Sequence, residues 1–292
     1  MTNVSHLQPP EEALTLLQTA RVATTPCGEG STVWHIWNEK DGDPTLAPLV
    51  LFHGGSGSWL HWLLNIPFLI ASGRRVYAPD LPGFGDSAVP PDGGDADALV
   101  EPLADGLRQL LGGIPCDLIG FSFGGLTGGL MAAKYPELVA RLVLVGAPGM
   151  GIAAIEEVKL RGWAHLTDVK EREDVNRGNL AALMFYRPEA ITGLALRLHM
   201  ANIVHDRMKG RRLARTDILL RAMPGMPFPV HAIYGREDVL YRGRAEALAQ
   251  ALSQAPQFRG LQLIDNAGHW VQFEQAAAFD RALLAALNAT RG

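Results

Sequence analysis

Apolar residues along this chain fall into two alternating patterns. Short continuous runs at 48–52, 75–78, 116–119, 141–146, 229–234 and 261–264 are bounded by Gly, Pro, Asp or Asn. Runs of this length and flank predict strands buried on both faces. Thr32 to Trp37 alternates and predicts a further strand. Between the runs, helical spacing covers Trp59–Ile70, Ala96–Leu111, Leu126–Lys134, Arg244–Leu252 and Gln272–Leu287. Pro9, Pro10, Glu11 and Glu12 open an earlier amphipathic helix with Leu14, Leu16, Leu17 and Ala20 on its apolar side. Strands alternating with helices predict an α/β domain, a mostly parallel sheet covered by helices on both faces.

The rhythm breaks once. From about Met150 to Met223 the apolar positions keep helical spacing and no strand is evident. The expected organisation is therefore a core over 1–149, a helical cap or lid over 150–224, and the rest of the core over 225–292. No repeat or flexible linker interrupts it.

Composition narrows the picture by exclusion. The formal net charge is −4 and no basic face stands out, so nucleic-acid binding has no support. Cys27 and Cys116 are too few for a disulfide framework and fit free thiols. The first twelve residues lack a leader's charge and apolar pattern, and no apolar run could span a bilayer. A cytoplasmic protein without a membrane partner is expected.

Chemistry enters at Gly120–Phe121–Ser122–Phe123–Gly124, between a predicted strand and a predicted helix. A serine framed by glycines at such a turn has the pattern of a nucleophile elbow. The turn is too sharp for β-carbons at Gly120 and Gly124, and the serine backbone is strained. A serine hydroxyl needs a base to take its proton. His269, in Asn266–Ala267–Gly268–His269–Trp270, leaves the last strand and offers an imidazole. Glu237 and Asp238 leave the preceding strand after Gly235, and the spacing favours Asp238. The order Ser122, Asp238, His269 is the order such an elbow takes. Two backbone donors would form an oxyanion hole: Phe123 at the helix start and Gly55 in the Gly54–Gly55–Ser56 turn.

These five segments, from His53–Gly57 and Asp80–Ser87 through the elbow to Gly235–Asp238 and Gly268–His269, resemble the α/β-hydrolase superfamily in its serine-nucleophile branch. The resemblance covers nearly the whole chain from about residue 30. It implies the α/β-hydrolase fold with a helical lid, and Ser122, His269 and Asp238 as nucleophile, base and orienting acid. The segment Gly268 to Glu274 is similar to meta-cleavage product hydrolases, which cleave a carbon–carbon bond in vinylogous diketones. In that comparison Arg197 matches the lid arginine that handles the substrate's carboxylate. Phe121 stands where that family usually has Asn, and it would give the pocket an apolar wall. Ser56 and Trp270 complete the candidate substrate contacts.

The expected partner is a small to medium, partly apolar molecule, either an ester-like substrate or a vinylogous diketone. A slow-turnover receptor on the same fold is the alternative from another class. A homo-oligomer is compatible with an exposed lid. No cofactor is expected, and no metal, since no H-E-x-x-H pattern occurs. His53, Asp80 and Asp86 read as loop-stabilising residues, and His231 as a core residue. Arg207, Lys209, Arg211, Arg212 and Arg215 read as a solvated helix face.

Overall fold

The apolar runs become the inner strands of one sheet in the computed structural model, which describes residues 9–154, 157–208 and 210–289. In chain order the elements are α1 (Glu11–Leu17), β1 (Arg21–Cys27), β2 (Gly30–Trp37), β3 (Leu49–Phe52), α2 (Ile66–Ala71), β4 (Val76–Pro79), α3 (Val100–Leu111), β5 (Cys116–Phe121), α4 (Phe123–Lys134) and β6 (Val139–Val145). Then come α5 (Val169–Leu183), α6 (Gly193–Ile203), α7 (Ile218–Ala222), β7 (Val230–Gly235), α8 (Ala245–Leu252), β8 (Phe258–Ile264), α9 (Val271–Glu274) and α10 (Ala276–Asn288). The strand order is β1-β2-β4-β3-β5-β6-β7-β8. From β4 to β8 the neighbours are parallel, while β1 and β2 add an antiparallel edge.

Both sheet faces are covered, so β3, β4 and β5 bury every residue, and β6 and β7 all but Ala140 and His231. In β3, Leu49 and Leu51 enter one core and Val50 and Phe52 the other. The second core receives α3, α4, α7 and α8 through Leu103, Leu126, Leu219 and Leu248. The first receives α2 and α10 through Ile66, Leu69, Phe279 and Leu283, and α5 and α6 through Leu180 and Leu198. Full burial of each such side chain is worth about 1.5–3 kcal/mol.

Several elements differ from the sequence reading. Strand β1 was not expected, because only Thr25 and Cys27 in it are buried and Pro26 interrupts it. Its edge position tolerates that proline. The predicted helix over 59–70 splits into a short 3-10 turn, Trp59–Trp62, and α2. Pro67 lies in the first turn of α2, where its missing N–H costs nothing. The final helix breaks at Gln275 into α9 and α10. The arginine-rich stretch is no helix face: of it only Leu213–Arg215 forms a 3-10 turn, and Lys209 lies outside the described residues. Cys27 and Cys116 are buried free thiols. Among the described residues no helix is long and apolar enough to cross a membrane.

Candidate active site

Ser122 sits between β5 and α4 with φ 50° and ψ −117°, a backbone region that stores strain. Its amide donates to Val145 O at 2.7 Å, and its carbonyl accepts from Gly125 and Leu126. A β-carbon at Gly120 would lie 2.6 Å from Gly124 O, and one at Gly124 would lie 2.3 Å from His53 O. The two glycines therefore allow the turn to close.

Three strand-end loops converge on the serine. His269 Nε2 lies 2.8 Å from Ser122 Oγ, and its Nδ1 lies 2.8 Å from Asp238 Oδ2. A carboxylate only accepts, so Nδ1–H donates to Asp238 and Nε2 accepts from the hydroxyl. The other Asp238 oxygen accepts the Leu240 amide at 3.0 Å. Asp238 and His269 are buried, while Ser122 keeps part of its surface open. Of the two adjacent carboxylates, Asp238 reaches the imidazole, whereas Glu237 is partly exposed. Gly146, at φ +56°, lets β6 pass the pair: a β-carbon there would lie 3.1 Å from His269.

The turn after β3 is held on both sides of Gly55. Gly54 N–H donates to His61 Nδ1 at 3.2 Å, and Ser56 Oγ donates to Asp206 Oδ2 at 2.5 Å. Among the described residues, neither the Gly55 nor the Phe123 amide donates to another group. A β-carbon on Gly55 would lie 3.6 Å from Phe123 Cβ, so the two residues are neighbours. His53 braces the turn from below. Its Nε2 accepts from Leu81 N–H at 2.8 Å, so its Nδ1–H donates to Gly54 O at 2.8 Å. Burial lowers its pKa to about 3, which keeps it neutral. Burial also lowers His199 to about 4 and puts His61 well below the usual imidazole range, where His53, His199 and His269 add repulsion. Asp80 is likewise structural: it accepts the Trp59 and Asp86 amides at 3.0 Å, and burial raises its pKa.

Some expected substrate contacts lie elsewhere. Arg197 is exposed and reaches Glu12 at 3.7 Å, away from Ser122. Its position on α6 turns it outward. Phe121 and Trp270 have no accessible surface, so neither forms a pocket wall. The Phe121 ring packs 5.2 Å from His269 and 5.5 Å from His61. Trp270 packs 4.9 Å from His61, and its indole N–H donates to His61 O at 3.2 Å. Both brace the imidazoles from behind. Ser56 does sit beside the candidate hole.

Four residues at the site carried no recognised sequence signal. Arg211, from the arginine-rich stretch, forms an ion pair with Asp206 at 2.7 Å and lies over the Phe84 and Phe123 rings. A β-carbon at Gly55 would lie 2.5 Å from its Nη1. Asp206 and His61 hold the turn. Glu274 Oε2 accepts the Gly268 amide next to His269 at 2.7 Å. The sequence marks the Gly268–Glu274 segment but carries no sign of this carboxylate's task. Arg207 stays exposed, but its amide donates to Gly83 O at 2.9 Å.

Comparison with known proteins agrees with this architecture. A family described as the alpha/beta hydrolase fold matches residues 47–276. A 2-hydroxymuconate semialdehyde hydrolase from Pseudomonas sp. (strain CF600) is 32% identical over 250 residues, covering 80% of this chain and 83% of that protein. An sn-1-specific diacylglycerol lipase from Mus musculus is 27% identical over 259 residues, covering 83% and 81%. The solved structure of a meta-cleavage product hydrolase from Pseudomonas fluorescens superposes with a TM-score of 0.71 at 25% identity, covering 91% of this chain and 97% of that one. The chain thus belongs to the α/β-hydrolase fold family and is a hydrolase.

Proposed function

We propose that this hydrolase works through a Ser122–His269–Asp238 triad and an acyl-enzyme, on a small to medium, partly apolar ester-like substrate. The observation that carries the reading is the pair of 2.8 Å contacts joining Ser122 Oγ, His269 and Asp238 in one line. Ser122 Oγ attacks the carbonyl carbon while His269 Nε2 takes the hydroxyl proton. Asp238 stabilises the imidazolium. The carbonyl oxygen, now negative, accepts from the Gly55 and Phe123 amides. His269 returns the proton to the leaving oxygen, and the carbon–oxygen bond breaks. Water, activated by His269, then releases the acid.

The helical stretch within 150–224 acts as a lid. In support, it touches both reacting loops: Met184 O accepts the Trp270 amide at 2.8 Å, and Asp206 accepts from Ser56.

Carbon–carbon bond cleavage of a vinylogous diketone is the second reading. It is favoured by similarity to the semialdehyde and meta-cleavage product hydrolases. A parallel assay of p-nitrophenyl butyrate and a vinylogous diketone tests the ranking. Ester turnover abolished in Ser122→Ala supports the first reading. A strong preference for the diketone reverses the order, and no turnover of either sinks both.

A further inference from the structure

We infer that Asp206 is a positioning residue for the oxyanion hole, acting through Ser56. The inference rests on the serine-hydrolase reading above. Ser56 adopts φ +51°, a region that residues with side chains rarely occupy. The Gly55 N–H lies in the peptide plane between Gly54 and Gly55, and Ser56 acts on it by fixing where the chain leaves Gly55, just as the Gly54–His61 bond fixes where it enters. The bond from Ser56 Oγ to Asp206 Oδ2, at 2.5 Å, holds that conformation.

Asp206 is itself fixed from three sides. Its Oδ1 accepts the Met208 amide at 3.0 Å, and its Oδ2 takes the Arg211 guanidinium at 2.7 Å. Next to it, the Arg207 amide bonds Gly83 O at 2.9 Å, and Met208 is buried against Gly83. Arg211 then lies over the ring of Phe123, the residue whose amide is the other donor. One small network therefore reaches both halves of the hole. Only Ser56 belongs to the sheet's own loops, while Asp206 and Arg211 come from the stretch between α6 and α7. On the opposite side, His61 holds Gly54. The Gly55 amide between them donates to no group among the described residues and is held by its two fixed neighbours.

The test compares Ser56→Ala, Asp206→Asn and the double variant on p-nitrophenyl butyrate, with phenylboronic acid as a tetrahedral mimic. Loss of a full oxyanion donor costs about a hundredfold to a thousandfold in kcat, so a misaimed donor should cost about tenfold or more. KM should stay within about twofold, because the donor acts on the transition state. The inhibition constant of the boronic acid should rise by the factor that kcat/KM loses. The double variant should be no worse than the poorer single one. Ser56→Ala leaves the Arg211–Asp206 pair in place and carries the test if Asp206→Asn does not fold. Unchanged kcat with only a lower melting temperature overturns the inference, as do additive losses. A wild-type protein that neither turns over the ester nor binds the boronic acid overturns the serine-nucleophile reading and the inference together. An active wild type with unaffected variants overturns the inference alone.

Discussion

Glu274 holds the amide of Gly268 at 2.7 Å, one residue before His269. The same carboxylate accepts the amides of Tyr186 and Arg187 at 3.0 Å, just past the end of α5. One side chain thus joins the histidine loop to the helical insertion. Hydrogen bonds to a charged group contribute about 1.5–3 kcal/mol each. Glu274→Gln has one carbonyl oxygen where two carboxylate oxygens stood, so at least one amide loses its acceptor. Stability should fall by about 1–3 kcal/mol, and kcat should fall with it as His269 loosens. Urea unfolding and steady-state kinetics on the same preparation check this. Unchanged values for both would mean the contacts carry no weight.

Asp238 sets the tautomer of His269 in the proposed mechanism. Asp238→Asn should lower kcat by about a thousandfold or more while the fold persists. Glu237→Gln should stay near wild type, since Asp238 rather than its neighbour meets the imidazole. Equal losses in both variants would show that the assignment between the two carboxylates is mistaken.

Far from the site, Arg74 and Asp117 form a buried ion pair at 2.9 Å. Removing one partner leaves a charge in the interior, which costs about 3–5 kcal/mol. Asp117→Asn should show that loss in the unfolding midpoint. Turnover at a temperature where the variant stays folded should be unchanged.

Burial raises the Asp280 carboxyl to about 6, against a smaller opposing effect from its hydrogen bond to Asn65. A raised folded-state pKa means the native protein binds a proton that the unfolded chain has released. Asp280 therefore supports the fold fully below about pH 4, and that support is lost as the pH climbs through about 6. Asp280→Asn keeps an acceptor for Asn65 and cannot ionise. Its stability relative to wild type should improve between pH 4.5 and pH 7.5. Unfolding curves at the two pH values, with an unchanged difference, would refute this.

How much of this was legible along the chain depends on the range of the forces involved. The elbow was readable because its logic is steric and local: no β-carbon fits at Gly120 or Gly124, whatever surrounds them. The inner strands were readable because burial on both faces leaves an unbroken apolar run. Strand β1 was not, since its order comes from backbone pairing with β2 rather than from its side chains.

Arginine chemistry shows the other limit. Arg197 sits on a regular helix, yet which way it faces depends on how α6 packs, and it faces Glu12. Arg211 looked like one more solvated cation, yet an irregular path between α6 and α7 brings it against Gly55. Phe121 and Trp270 adjoin Ser122 and His269 along the chain, but His61 packs on both and Phe185 on Trp270, and neither keeps accessible surface. Residue type and spacing therefore specify the α/β architecture and the candidates for nucleophile, base and acid, because backbone sterics and burial act within a few residues. Which charged and aromatic side chains meet those candidates is set by contacts between segments far apart in the chain, 155 residues for Ser56 and Arg211 and 209 for His61 and Trp270. Short-range periodicity carries no record of such contacts, because they form only when the packed layers bring distant loops to one edge of the sheet.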